Sequence, residues 1–201
     1  LWINDQLVIF EGGLKRGPSP SGTYYDPVDI APYLTKGTNT IAVLLWHFGK
    51  DGFSHINSGK AALLFEAIAP GLEIVSDASW QCALYEAYQN TEAPFPNYRM
   101  PESNIRFDAR QAITNWNRTS FEGSLPGAVC VGKAGKAPFG ELVERPIPQW
   151  KNSGLLSYVS VRESLRGDTL FCRLPYNAQI TPYLKVEAEA AMRSITSSPR
   201  A

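Results

Sequence analysis

Short apolar runs separated by polar, glycine- and proline-containing stretches recur along the chain, a pattern that predicts strands and turns rather than long helices. Trp2-Ile3 and Leu7-Val8-Ile9-Phe10 flank Asn4-Asp5-Gln6 and predict strand, tight turn, strand, because Asn and Asp tolerate the positive φ of a hairpin turn. Residues 11–22, rich in Gly, Pro, Ser and basic side chains, predict a loop. Residues 24–30 return to extended structure, since Pro27 excludes a helix interior and restricts Asp26. Ala31-Pro32-Tyr33-Leu34 predicts a single helical turn, with Pro32 at its first position, Asp29 as cap and Gly37 as terminator.

Thr40-Ile41-Ala42-Val43-Leu44-Leu45-Trp46 is the clearest strand pattern. Both of its faces are apolar, which predicts a central strand covered at least in part on each side. Residues 62–68 and 72–75 predict two strands around the Pro70-Gly71 turn. The alternation over 82–88 fits a strand or a short helix, with the strand preferred. Residues 91–102 form a proline-rich loop, 105–110 a short strand or strand end, and 123–140 a turn-rich stretch. Pro146 and Pro148 make a stiff exit from a first unit spanning 1–148. Residues 155–161, 169–174 and 183–188 predict strands of a partial second unit over 149–201, ending in a small, polar, frayed tail. That stretch is short for an independent sandwich, so it begins a larger domain or docks on the first.

Composition narrows the function classes. With 44% hydrophobic and 19% charged residues, a packed core can form. Nineteen basic residues balance nineteen acidic ones, which removes the electrostatic basis for binding nucleic acid or an anionic membrane. No apolar run approaches the roughly 20 residues of a membrane helix. Cys82, Cys130 and Cys172 show no CxxC spacing and predict free thiols, buried or half-buried. His47 and His55 lack partners at ligand spacing, so no metal or cofactor is expected. Asn117-Arg118-Thr119 matches a glycosylation sequon, a triplet that chance often produces.

Catalysis by this chain alone has little to stand on. A glycosidase needs two carboxyl groups about 5–9.5 Å apart across the scissile bond. Asp26 with Asp29, or Glu141 with Glu144, are better explained as turn or surface acids. No G-x-S-x-G elbow and no P-loop is present. Sugar binding has more support, because Trp46, His47, Phe53 and His55 set aromatic faces beside polar groups at a strand end and loop. Core packing of Trp46 and Phe53, with His47 capping a sheet edge, is nevertheless the commoner fate of such residues. A second cluster, Tyr98, Arg99, Glu102 and Arg106, is more simply read as solvated ion pairs.

Three stretches together resemble one known arrangement. Trp2-Ile3-Asn4-Asp5, then Tyr25-Asp26-Pro27-Val28-Asp29-Ile30 and Leu34, leading into Gly37-Thr38-Asn39-Thr40-Ile41-Ala42-Val43, is similar to the strand set of jelly-roll domains in multidomain glycoside hydrolases. Ile74-Val75-Ser76-Asp77-Ala78-Ser79-Trp80 resembles a stretch of the α-L-rhamnosidase N-terminal domain. Phe107-Asp108-Ala109-Arg110 with Trp116, running to Glu144-Arg145-Pro146-Ile147-Pro148, resembles that domain's exit. Asp5 stands where the family usually has Gly, and Pro126 where Trp is common. The family's helical-barrel catalytic domain has no matching stretch here.

The resemblance implies an all-β, jelly-roll (galactose-binding-like) antiparallel β-sandwich. It would be an accessory module of a secreted or periplasmic bacterial α-L-rhamnosidase-like enzyme. Its expected partners are the catalytic domain of the same polypeptide and a rhamnose-containing carbohydrate. In that setting Asp77 bonds turn amides and Trp80 plugs the sandwich.

Overall fold

In a computed structural model, residues 1–10, 19, 21–47, 49, 51, 57, 59–90, 105–149, 151, 153–177, 183 and 185 are described. The chain divides into two units, Leu1–Lys151 and Asn152–Ala201. Every regular element among the described residues is a strand or a single 3-10 turn, so the chain is all-β.

The first unit opens with β1 (Trp2–Ile3) and β2 (Gln6–Leu7), paired antiparallel with Ile3 opposite Gln6. Asn4 and Asp5 form the two-residue turn with φ of 47° and 70°, the double positive φ expected of that pair. β3 (Gly22–Tyr25) follows, and then a 3-10 turn at Ala31–Tyr33 with Pro32 near its start. Asp29 Oδ1 accepts from the Ala31 amide at 3.0 Å, so the expected acid does tie the start of this turn. Its C-cap is Leu34 rather than Gly37, which instead turns the chain at φ 99° further on. β4 (Ile41–Ala42) pairs with β1, which makes a three-stranded sheet ordered β2-β1-β4. Ile3 lies at its centre and is fully buried.

Side chains from distant turns lock this sheet. Asn4 Nδ2 donates to the Tyr33 carbonyl at 2.9 Å and to Asn39 Oδ1 at 2.6 Å, while Asn4 Oδ1 accepts from the Thr40 amide at 3.0 Å. Asn39 in turn bonds both the amide and the carbonyl of Thr35. The two asparagines of the resembling motif thus meet across 35 positions of sequence and satisfy the backbone of the loop between them.

The long strand expected over 40–46 is a correction. Only Ile41 and Ala42 pair, at a sheet edge, and Leu44, Leu45 and Trp46 are exposed. An apolar face on both sides of a strand marks burial only when other elements cover it, and residues 44–46 remain exposed. β5 (Glu66–Ala69) and β6 (Leu72–Val75) form the hairpin expected around Pro70-Gly71, though residues 62–65 stay outside it. Residues 82–85 are not a strand. Pairing begins later, between β7 (Tyr88–Asn90) and β8 (Ile105–Phe107). A 3-10 turn at Ala109–Gln111 follows, capped by the Asp108 carboxylate on the Arg110 amide.

β9 (Glu141–Glu144) returns to pair with β3, and this ladder is parallel, unlike the antiparallel pairing expected throughout. The long intervening chain makes a parallel return possible without a hairpin. Gly140, at φ 68°, enters β9 so closely that a Cβ there would fall 1.5 Å from the Ser21 carbonyl oxygen. Beyond the strands, Asp26 and Arg145 form a two-pronged ion pair, Nε to Oδ1 at 2.7 Å and Nη2 to Oδ2 at 3.0 Å. Both side chains are largely shielded, 15% and 17% exposed.

The described residues of the second unit form one hairpin, β10 (Ser160–Glu163) with β11 (Leu170–Arg173). Ser164 Oγ and Thr169 Oγ1 both donate to Asp168 Oδ1 within its turn, and Arg162 lies 5.4 Å from the centre of the Phe171 ring. The third strand expected over 183–188 and the tail fall largely or wholly outside the described residues.

Candidate functional site

Of the four residues proposed for carbohydrate contact, Trp46 and His47 are described and exposed, whereas Phe53 and His55 lie outside the described residues. Trp46 is 59% exposed, so it does not fill a core. It extends the apolar run of Leu44 and Leu45 beyond the edge strand β4. An indole with a face open to solvent can stack on the C–H patches of a sugar ring or pack on another protein. Arg106 from the second cluster is exposed, and the rest of that cluster lies outside the described residues.

The cysteines are free, as expected, but all three are exposed rather than buried. Too few side chains surround their segments to enclose them. Among the described residues, no group of three His, Cys, Asp or Glu side chains is placed to hold a metal ion. No described helix is long and apolar enough to cross a membrane.

Two surfaces escaped the sequence reading. One is an aromatic cluster. Trp2 meets Trp116 edge-on at 5.0 Å, Tyr85 lies 6.1 Å from Trp116, and Tyr88 and Phe107 face each other across the β7–β8 ladder at 4.9 Å. Trp2 and Trp116 belong to the resembling motifs, but only the fold reveals that they touch. Burial and the neighbouring Tyr85 hold the Tyr88 hydroxyl above its ordinary pKa, so it stays protonated and can donate. Tyr88 and Phe107 remain about half exposed.

The other surface is a groove of about 410 Å³ in the first unit. One wall is the segment from Pro27 to Ala31, which runs into the 3-10 turn, and the other is β5 with Phe65 before it. Val28, Ile30, Leu34, Ile68 and Leu72 give it an aliphatic lining, and the acids on it among the described residues are Asp29 and Glu66. Among the described residues, no Lys, Arg or His side chain lines it. Asp29 is engaged by the Ala31 amide, which suits a turn-forming role. An aliphatic groove of this kind recognises apolar side chains, whereas a sugar site needs convergent polar groups and a hydrolytic site a pair of carboxyls.

Asp77 behaves as its motif implies. Its Oδ1 accepts from the Ser79 amide at 2.8 Å and from Ser79 Oγ, and these bonds hold its carboxyl below the ordinary range. Trp80, half-buried, donates Nε1–H to the Val75 carbonyl at 2.9 Å and leans on Phe65 at 5.5 Å. The chain matches no family model, no curated protein and no solved structure.

Proposed function

We propose that this chain is a non-catalytic β-sandwich accessory module of jelly-roll type that packs on the catalytic domain of an α-L-rhamnosidase-like glycoside hydrolase. One observation carries the reading. In the first unit the buried hydrophobic residues among those described are Ile3, Ala42, Ala87 and Phe139, whereas Leu44, Leu45, Trp46, Ile68, Leu72 and Val75 lie exposed. Apolar side chains exposed in this number beside so few buried ones favour cover by a partner. Asp26 and Asp77, two acids within the resembling motifs, are each tied to a structural bond. The purified chain incubated with an aryl α-L-rhamnoside is expected to release no aglycone. Turnover that co-purifies with the chain and is lost on changing one of its carboxylates overturns the reading.

The exposure of Trp46 favours a second reading, an autonomous carbohydrate-binding module. That reading requires saturable binding of L-rhamnose in calorimetry, weakened at least tenfold by Trp46→Ala. Rhamnose heats indistinguishable from dilution leave the docking module as the better account.

A further inference from the structure

We propose that the groove between β5 and the segment from Pro27 to Ala31 is a slot for an added strand, and that its occupant is an extended polypeptide segment carrying aliphatic and basic side chains. The inference rests on the docking-module reading and names how the partner is held.

Five consecutive residues, Phe65 to Ala69, border the groove. Side chains of a strand alternate between faces, so an unbroken run of neighbours reaches one cavity only where the strand presents its edge. Among the described residues, β5 is paired on one side alone, to β6, in a sheet of two strands. Phe65 accepts from the Ser76 amide at 2.9 Å, and antiparallel bonding alternates along the strand. The backbone groups of residues 65, 67 and 69 are therefore turned towards β6, and those of Glu66 and Ile68 face outwards, into the groove. Unpaired strand edges of this kind capture extended peptides through main-chain bonds, with alternate side chains supplying specificity.

The chemistry of the occupant follows from the side chains at that edge. Glu66 and Ile68 share a sheet face with Glu73 and Val75, which lie directly opposite them in the register Glu66 with Val75 and Ile68 with Glu73. Ile68 is 74% exposed. Neither Glu66 nor Glu73 has an ion-pair partner among the described residues. An incoming strand would place a residue beside each of Glu66 and Ile68. A Lys or Arg beside the first and an aliphatic side chain beside the second satisfy both, whereas an acid there would meet like charge.

The test uses the whole 201-residue chain. The probe is a fluorescein-labelled peptide of about eight residues with blocked ends, the repeat Lys-Thr-Val-Thr, which sets Lys and Val two apart on one face, titrated by anisotropy and followed by amide hydrogen exchange. Saturable binding is expected, with exchange at Glu66 and Ile68 slowed at least tenfold and exchange at the already bonded Ala67 little changed. Glu66→Lys, an exposed strand position, is expected to weaken the complex at least tenfold while leaving the far-ultraviolet dichroism as it was. As a second check that needs no variant, the corresponding Glu-Val peptide, with Glu in place of each Lys, is expected not to bind. No saturable binding, binding without protection at 66 and 68, or equal affinity for the Glu-Val peptide would each overturn the proposal. Rhamnoside turnover by the chain would defeat the module reading while leaving these peptide readouts intact, so the two failures are distinguishable.

Discussion

Asn4 and Asp5 occupy neighbouring turn positions with different duties. Asn4 holds three side-chain bonds that join the first hairpin to the loop before β4, at a φ that asparagine tolerates better than most residues. Asn4→Ala takes the side-chain partner away from the Thr40 amide and from the Tyr33 carbonyl. We expect a loss of about 1–3 kcal/mol in urea unfolding, since unsatisfied half-buried groups cost that much. Asp5 stands where the resembling family has Gly, and its Oδ1 accepts from the Thr119 amide at 2.9 Å. Asp5→Gly relieves the positive φ but forfeits that bond, so the change is expected to stay within ~1 kcal/mol. Asp108 gives a sharper test. The two-pronged bond from Arg110 holds its carboxyl down at about 2. A carboxylate whose folded pKa is depressed adds stability above its ordinary pKa and loses it as pH falls through the folded value. Carbon-13 titration of the Asp108 carboxyl is expected to show a midpoint near 2, rising towards the usual carboxylate range in Arg110→Ala. An unchanged midpoint in that variant contradicts the assignment.

At the scale of elements, the β3–β9 ladder depends on a close approach and an ion pair. Gly140→Ala sets a Cβ 1.5 Å from the Ser21 oxygen at a φ of 68°, and no rotamer can relieve a backbone clash. The expected loss is roughly 3 kcal/mol or more, visible as a fall in the thermal midpoint. Arg145→Lys keeps the charge but loses the fork that grips Asp26. It should cost about 1–2 kcal/mol, between the values for exposed and buried pairs. The turns were the most legible elements in the sequence. Asn4-Asp5, Pro32 and Pro70-Gly71 act through local backbone preference, and each turn formed where its residues required. Strand lengths were not legible, because residues 43–46 have strand-like composition but join no strand pairing among the described residues. The parallel β3–β9 pairing was hidden for a similar reason. Register between segments so far apart depends on tertiary contacts such as Asp26–Arg145, which no local pattern encodes.

Over the whole molecule, the sequence indicated β structure and left the surfaces unread. Trp46 was visible as an aromatic at a strand end, but its exposure depends on what fails to cover it. The aromatic cluster and the aliphatic groove arise from residues as far as 114 positions apart, each unremarkable alone. Both surfaces serve an account in which this chain presents apolar area to a partner rather than performing chemistry. The direct measurement is sedimentation of the chain mixed with the helical-barrel catalytic domain that the account places in the same polypeptide. A complex that forms with the unaltered chain and is weakened at least tenfold by Ile68→Lys is the predicted result. Two species that sediment independently at every concentration, with the chain monomeric and stable by itself, would contradict it.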